Sequence, residues 1–529
     1  MKTFTLLSAV ALSSCAFAAV VIPIAKSPEA QPKLRRRDRR LSSRAVITET
    51  LQNNVTGGDY VAQVSVGTPA QTQLLLLDTG SSDVWVLSST ADLCTDPEVQ
   101  SYYGVGGCES TFDSSKSSTF KIVDANGFDI EYEDESGATG DYITDTFSVG
   151  GATIKALEMG YATRSSSSIG VMGIGYDVNE ASDTGESATA YHAAGFIYPS
   201  IIDTMVSQGL IASKAYSLYL NDLEASTGSI IFGGLDSDKY HGDLLQMPVV
   251  PDTYRNGTNV YADLDVALTG FGITDQSGST TNFTSSSYEE AVILDSGTTA
   301  TYLSDDIITQ LLTAINGVDD SENSGNIYVD CSIADNTAMT FNFGFGGPTG
   351  IKITVPVSEL VFSLSSAFST GTTLPDLPFA SACAFGILPG DTGPFILGDT
   401  FLRSAYVVYD LSNNLIAIAQ TNFNSTTSKI VDFTASETSI PNVSGAAASA
   451  SIAQTATGVI GNDGGGQRTV TVTAGATSAG TGTGTSSTAT GTTSKNAAVR
   501  AVPAFDGRGL LVLGISAGFA LLGGGWLLA

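Results

Sequence analysis

Two short acidic motifs are the part of this 529-residue chain best suited to chemistry. Residues 76–82 read LLDTGSS and contain Asp78; the second motif begins 217 positions later, where residues 293–299 read ILDSGTT and contain Asp295. In each, an apolar segment ends at an aspartate and turns at a glycine, which predicts a carboxyl group at the floor of a poorly hydrated cleft. Two such carboxyl groups in contact cannot both ionise cheaply, so they would share one proton and titrate as a coupled pair.

A carboxyl pair of this kind can hydrolyse a peptide bond without a metal or a cofactor. The ionised member takes a proton from a bound water molecule, which attacks the carbonyl, while the protonated member donates to the carbonyl oxygen. Histidine-based alternatives are poorly supported, because His192 and His241 are the only histidines. Neither has a second histidine or a cysteine at ligand spacing, which disfavours zinc, and a Ser-His-Asp triad would need one of them beside a strained serine.

The net charge disfavours nucleic acid as a partner. The chain has 23 basic and 53 acidic residues, which gives a formal net charge of -30. Phosphate backbones attract the opposite sign, so this balance indicates solubility or cationic partners instead.

The two motifs belong to a longer internal repeat. Each half also carries an apolar-apolar-glycine segment downstream, Val171-Met172-Gly173 in the first half and Ile396-Leu397-Gly398 in the second. This repeat predicts two homologous lobes related by an approximate twofold axis, with the aspartate turns face to face. Short alternating segments between residues 59 and 420 predict strands, and residues 304–316 form the best of few helical patterns. We therefore expect an all-β, two-lobed chain with a central cleft, an N-terminal lobe over residues 45–240 and a C-terminal lobe over residues 241–424.

Four cysteines remain once Cys15, in the leader, is set aside. They are Cys94, Cys108, Cys331 and Cys383, an even set suited to an oxidising compartment. Of the three pairings, we expect Cys94 with Cys108 and Cys331 with Cys383, because each lobe would then be cross-linked independently.

The N-terminus has the pattern of a secretory leader followed by a propeptide. Residues 1–19 combine an early lysine, an apolar run and small residues at Ala16-Phe17-Ala18, which predicts a signal peptide. The basic run at residues 35–40 predicts an accessible processing site, so we expect a propeptide over residues 20–44 with its junction near Arg40 or Arg44. Sequons then predict glycosylation of Asn54, Asn256, Asn282, Asn424 and Asn442.

The C-terminus predicts a tethered protein. Ser, Thr, Ala and Gly dominate from Ser425 to Ser494, which predicts a disordered stalk over residues 425–496. Residues 510–529 are uncharged and no basic residue follows them, which favours a removable GPI-attachment signal over residues 497–529, with attachment at Asn496. A retained transmembrane helix is the alternative. The expected location is the extracellular face of the cell membrane, with the cell wall and partial secretion left open.

The motifs together resemble those of pepsin-family aspartic endopeptidases over roughly residues 59–423. The resemblance rests on DTGSSDVWV at residues 78–86 and on DSGTT at residues 295–299. It implies a bilobal pepsin-like fold, a catalytic pair formed by Asp78 and Asp295, polypeptide substrates, no cofactor or metal, and a monomer. Dyad support would come from Gly80 and Gly297, which allow the turns to cross, and from Ser81 and Thr298, which would bond the outer carboxylate oxygens.

The resemblance also implies a flap over residues 130–137. Tyr132 would lie over the substrate and bond toward Trp85, and the flap tip is acidic at Glu133, Asp134 and Glu135. In similar fungal proteases an aspartate matching Asp134 is associated with acceptance of a basic residue at the cleavage site, and GPI-anchored yapsin-type members prefer basic motifs. The resemblance therefore implies a preference for Lys or Arg. A solvated hairpin tip with no role in selection is the alternative.

Two other functions compete with a tethered basic-site protease. A catalytically silent, protease-like wall protein would keep the lobes for binding and would show no pepstatin-sensitive hydrolysis. A freely secreted acid protease of broad specificity would be found only in the culture fluid.

Overall fold

The computed structural model describes a β-rich body. The described residues are 46–54, 59–134, 136–184, 197–254, 259–364, 375–390, 393–435, 437–447, 454–456 and 471–472. The expected signal peptide, the propeptide, most of the stalk and the GPI-attachment signal with Asn496 lie outside them.

Strands make up most of the described elements. The first half contains β1 (Ile47–Asn54), β2 (Asp59–Val66), β3 (Gln71–Asp78), β4 (Val84–Leu87), β5 (Lys121–Glu131), β6 (Gly137–Val149), β7 (Ala152–Ser165), β8 (Gly170–Gly173), β9 (Ala215–Tyr219), β10 (Thr227–Phe232), β11 (Gly234–Asp236) and β12 (Tyr240–Pro248). The second half contains β13 (Asp252–Tyr254), β14 (Asn259–Val260), β15 (Asp265–Thr274), β16 (Thr280–Asn282), β17 (Glu290–Leu294), β18 (Thr301–Leu303), β19 (Val318–Asp320), β20 (Asn326–Asp330), β21 (Thr340–Phe345), β22 (Ile351–Pro356), β23 (Val361–Ser363), β24 (Ala382–Phe385), β25 (Ile387–Pro389), β26 (Ile396–Leu397), β27 (Ala405–Asp410) and β28 (Leu415–Thr421). Four strands follow, β29 (Ile430–Asp432), β30 (Val443–Ala446), β31 (Gln454–Ala456) and β32 (Thr471–Val472).

The helices are short. They are α1 (Asp92–Thr95), α2 (Pro97–Tyr103), α3 (Ile201–Ser207), α4 (Asp305–Ile315), α5 (Ser321–Ser324) and α6 (Asp399–Leu402), with 3-10 turns at Ser114–Lys116, Asp177–Asn179, Ala181–Thr184, Cys331–Asp335, Gly347–Thr349 and Val357–Leu360. The helix predicted at residues 304–316 is α4, which buries Ile307, Ile308, Leu311 and Ile315 along one face.

Alternation along the strands places the core. In β2, Tyr60, Ala62, Val64 and Val66 are buried while Gln63 between them is exposed. This period of two is the one that a strand with one face on the core requires.

The two halves share one large sheet. Its order is β30-β12-β28-β27-β9-β10-β1-β2-β3-β8-β4-β7-β6-β5, so the late strands β27, β28 and β30 join those of the first half. The junction is the antiparallel pair β27–β9, in which Val407 faces Leu218. The second half has its own eight-stranded sheet, β22-β21-β15-β17-β26-β18-β25 with β16 beside β15, and a four-stranded sheet, β19-β20-β24-β23. The lobe boundary expected at residues 240/241 falls at the start of β12, inside the shared sheet.

Each half contains one disulfide. Cys94 is bonded to Cys108 and Cys331 to Cys383, the local pairing expected from the sequence. The first bond lies beside the buried cluster under the flap, which includes Trp85, Phe128 and Ile130.

The packed body extends past Ser425, where the sequence predicts the disordered stalk to begin. Strand β29 pairs with β11, and β30 pairs with the edge of β12. Between them Phe433 and Ile440 are only 3% and 1% exposed and pack against Leu244 and Tyr406. The structure therefore differs from the prediction for residues 425–447, because two apolar side chains and two short ladders anchor a segment of otherwise polar composition.

Candidate active site

Asp78 ends strand β3 and is held by its own turn. The Gly80 N–H donates to Oδ1 of Asp78 at 2.8 Å, and the Ser81 hydroxyl donates to Oδ2. Strand β3 pairs in parallel with β8, which places Asp78 opposite Gly173 of the apolar-apolar-glycine segment. Both carboxylate oxygens thus have a fixed donor.

Asp295 repeats this arrangement in the second half. The Gly297 N–H donates to Oδ1 of Asp295 at 2.8 Å, and the Thr298 hydroxyl donates to Oδ2 at 2.6 Å. Strand β17, which precedes Asp295, pairs in parallel with β26 and brings Leu294 opposite Leu397. Gly80, Ser81, Gly297 and Thr298 therefore donate to the two aspartates, and their role as dyad support stays a prediction.

The residues between each aspartate and its glycine connect the two turns. The Thr79 hydroxyl donates to the Leu294 carbonyl at 2.8 Å and accepts the Ser296 N–H at 2.9 Å. The Ser296 hydroxyl in turn donates to the Leu77 carbonyl at 2.9 Å. These hydrogen bonds join segments of the chain that are more than 200 residues apart. The two motifs contain Thr79 and Ser296, but their sequence does not predict this contact.

The glycines show how closely the turns meet. A Cβ atom on Gly80 would lie 2.7 Å from Cγ of Asp295, and one on Gly297 would lie 2.7 Å from Cγ of Asp78. Neither distance is compatible with a side chain, so each turn needs a glycine to let the opposite carboxyl group approach. The two carboxyl groups therefore lie together at the crossing of the turns.

The environment of the pair favours retention of a proton. Asp78 and Asp295 are 6% and 7% exposed. Burial raises the pKa of Asp78 well above its ordinary value, and the negative charge of Asp295 and a hydrogen bond with it raise this pKa further. The donors from Ser81 and Gly80 oppose that shift. The pair can accordingly hold one proton at a pH where an exposed aspartate has lost its own.

The hairpin of β5 and β6 carries the predicted flap tyrosine. The Trp85 indole N–H donates to the Tyr132 hydroxyl oxygen at 2.8 Å, and the Trp85 side chain is fully buried. Burial, followed by the charge of Asp78, raises the pKa of Tyr132 well above its ordinary value. Tyr132 therefore stays neutral beside the dyad.

Two of the three acidic residues at the flap tip fall within the described ranges. Glu133 is exposed, whereas Asp134 is half-buried and accepts the Ser136 N–H at 2.9 Å. Burial and the negative charge of Asp134 raise the pKa of Tyr302, in the second half, to about 12. Asp134 thus acts electrostatically on a tyrosine in the second half of the chain. Glu135 lies outside the described residues.

Similarity to known proteins agrees with this geometry. Residues 59–421 match the family described as "Eukaryotic aspartyl protease". The chain is 39% identical over 427 residues to the "Probable aspartic-type endopeptidase opsB" of Aspergillus oryzae, a match that covers 80% of each protein. It is 31% identical over 436 residues to "Aspartic proteinase 3" of Saccharomyces cerevisiae, covering 71% of this chain and 72% of the yeast protein.

The chain belongs to the eukaryotic aspartyl protease family. This aspartyl protease also shares its fold with the crystal structure of the aspartic proteinase from Irpex lacteus, with a TM-score of 0.54 and 24% identity over 73% of this chain and 100% of that one. The predicted pepsin-like family, the strand-rich fold and the enzyme class, a hydrolase of the aspartic peptidase type, are confirmed.

Other predicted features of the aspartyl protease are placed only in part. Asn282, Asn424 and Asn442 are exposed, as carriers of a glycan must be, while Asn256 and the side chain of Asn54 lie outside the described residues. No described helix combines the length and the apolar composition needed to cross a membrane. Within the described ranges, no group of three or more His, Cys, Asp and Glu side chains is arranged to hold a metal ion.

Proposed function

We propose that Asp78 and Asp295 are the catalytic pair of this aspartic endopeptidase and activate one water molecule between them. The observation that carries the proposal is the crossing of the two turns, which brings two buried carboxyl groups together with each oxygen accepting a fixed donor. Buried carboxyl groups in contact have the shifted, coupled ionisation that acid–base catalysis needs.

The proposed reaction uses the single proton of the pair. The ionised carboxylate takes a proton from the water, whose oxygen attacks the carbonyl carbon of the scissile bond, and the other carboxyl group donates to the carbonyl oxygen. The tetrahedral species then breaks its C–N bond: the carboxyl group that took the water proton gives it to the amine nitrogen, and one hydroxyl of the tetrahedral species returns its proton to the other carboxylate, which restores the single proton of the pair. The neutral Tyr132 closes over this reaction with its hydroxyl held by Trp85.

Isosteric substitution of the pair tests the proposal. Asp78→Asn and Asp295→Asn keep the shape of each side chain but remove the shared ionisation, so we expect each to lower kcat by at least about a thousandfold. The control is Asp145→Asn, because Asp145 is also buried but contacts Thr119 and the Thr146 N–H rather than a dyad turn. Pepstatin-sensitive peptide hydrolysis that survived in either dyad variant would refute the proposal.

We further propose that the site prefers Lys or Arg at the cleaved position. The support is the half-buried Asp134, whose negative charge also acts on Tyr302 of the second half, so a cationic side chain bound beside the flap tip would meet a carboxylate. The exposed Glu133 adds a second negative charge at the flap tip.

The proposed setting is the cell surface, with the enzyme held by a GPI anchor at Asn496. The support is the polar spacer beyond the packed body and the uncharged, apolar composition of residues 510–529. A phosphatidylinositol-specific phospholipase should release the enzyme from intact cells. Resistance to that treatment together with extraction by detergent would favour a retained transmembrane helix.

A further inference from the structure

Asn179 contacts both halves of the molecule below the dyad. It ends the 3-10 turn Asp177–Asn179, and its side-chain amide donates to the Gly80 carbonyl at 3.1 Å and to Oδ1 of Asp263 at 3.2 Å. Both partners are acceptors, so the nitrogen of the amide must face them. An amide is the one neutral side-chain group that offers two hydrogens from a single nitrogen in this way.

The first partner belongs to the turn that holds Asp78. Gly80 donates its N–H to one oxygen of Asp78, and the next residue, Ser81, donates its hydroxyl to the other. The Gly80 carbonyl lies in the rigid peptide group that joins these two residues. A hydrogen bond to that carbonyl therefore fixes the orientation of both donors to Asp78. The Gly175 N–H, which donates to the Ser81 carbonyl at 2.9 Å, holds the following peptide group.

The second partner is attached to the strand that leads to Asp295. Asp263 immediately precedes Leu264, whose carbonyl accepts the Leu294 N–H at 3.2 Å, and the following strand β15 pairs with β17. Asp263 thus has a fixed place beside the end of β17. The amide of Asn179 therefore connects the Asp78 turn to Asp263, which lies beside the strand that leads to Asp295. This connection is additional to the hydrogen bonds of Thr79 and Ser296.

We infer that Asn179 is a positioning residue for the dyad, whose amide ties the Gly80 turn to Asp263 and so keeps the donors to Asp78 aligned. The inference rests on the proposed function of Asp78 and Asp295. Asn179 does not touch the reacting atoms, and its effect passes through Gly80.

The effect should appear in the pH dependence as well as in the rate. The donors from Ser81 and Gly80 lower the pKa of Asp78, so loosening them raises it. Burial and the negative charge of Asp295 raise the pKa of Asp78, so Asp78 holds the single proton of the active pair, and a further rise moves the alkaline limb of the kcat/KM profile to higher pH. The titratable groups that face Asp78 are Asp295 from the other turn, Tyr132 from the flap and Tyr216 from β9. Both tyrosines have a raised pKa, so neither titrates on this limb.

The test uses Asn179→Ala, the isosteric Asn179→Asp, and Asp263→Ala, which removes the bridge without touching Asn179. We expect both Asn179 variants to lower kcat about tenfold with little change in KM and to move the alkaline limb to higher pH. Asp263→Ala should move it in the same direction, and the Asn179→Ala/Asp263→Ala double variant should lose less than the two single losses combined, because the residues act through one bridge.

Asn53→Ala is the matched control. The Asn53 amide also donates to two acceptors, the carbonyls of Leu223 and Ala225, but these lie in the loop before β10 rather than in a dyad turn. It should lower stability while leaving the alkaline limb where it is. A wild-type pH profile in both Asn179 variants, or an equal shift in Asn53→Ala, would overturn the inference. If Asp78→Asn lost activity in the same experiments, either outcome would contradict only the role of Asn179, and the proposed function would still hold.

Discussion

Glu180 should make the enzyme less stable as the pH rises. Its side chain is 2% exposed, Oε2 accepts the Tyr198 N–H at 3.0 Å, and Oε1 has no hydrogen-bond partner among the described residues. Burial and then the negative charge of Asp83 raise the pKa of Glu180 from 4.5 to about 11. A carboxyl group of this kind is protonated when folded and ionised when unfolded throughout the range between those two values.

The sign and size follow from proton linkage. Only the folded state keeps this proton above pH 4.5. The stabilisation from the Glu180 proton is therefore fully present below pH 4.5 and is lost progressively as the pH rises toward the folded pKa of about 11. Each pH unit removes about 1.4 kcal/mol, so the loss between pH 4.5 and 7.5 amounts to about 4 kcal/mol. That is a large share of the roughly 5–15 kcal/mol by which domains are stable.

Glu180→Gln tests this reasoning. Glutamine keeps the acceptor for Tyr198 and cannot ionise, so the variant should match the parent near pH 4.5 and exceed its free energy of unfolding by up to about 4 kcal/mol at pH 7.5. Urea unfolding in an Asp295→Asn background avoids self-digestion and removes the ionisation of Asp295. Glu322→Gln is the control, because Glu322 is exposed. Stability–pH curves that ran parallel for Glu180→Gln and its parent would refute the argument.

Three further substitutions address the turns, the flap and the C-terminal segment. Thr79→Val keeps the side-chain shape but leaves the Ser296 N–H without its acceptor, while the Tyr409 hydroxyl still donates to the Leu294 carbonyl at 3.4 Å. Urea unfolding should therefore show a loss of about 1–3 kcal/mol, and an unchanged value would contradict the role of this crossing. Asp134→Asn should lower kcat/KM for a Lys substrate about tenfold more than for its Leu counterpart, and equal losses would mean that the flap tip does not select charge. Phe433→Ala should cost about 3–5 kcal/mol because the side chain is 3% exposed, whereas a cost below about 1 kcal/mol would show that the segment adds little to the body.

The sequence predicts those parts of the site that lie in one short motif and recur in both halves of the chain. An apolar strand, an aspartate and a turning glycine occupy adjacent positions in both halves, so the aspartate pair could be predicted without knowing the fold, whereas the roles of Ser81 and Thr298 followed from the family resemblance. The contact between Tyr132 and Trp85 followed from family resemblance, and its geometry agrees with that expectation.

The parts that could not be predicted depend on contacts between distant segments. Asn179 and Glu180 form no periodic pattern, and their roles arise only because residues 173–181 fold beneath the Asp78 turn. Phe433 and Ile440 are isolated apolar residues in a polar stretch, so composition alone does not predict that they pack into a buried cluster. In both cases a few specific long-range contacts outweigh the local preference of the chain.

Strand β30 covers the outer edge of the 14-stranded sheet, where it pairs with β12. A protein that ends at residue 421, where the family match ends, would lose that strand. It would also lose Phe433 and Ile440, which pack against Leu244 and Tyr406. Its bare β12 backbone would then be free to pair with another copy, since unprotected sheet edges promote aggregation. A shortened enzyme should therefore precipitate or form oligomers when it ends at 421 and remain dispersed when it ends at 447.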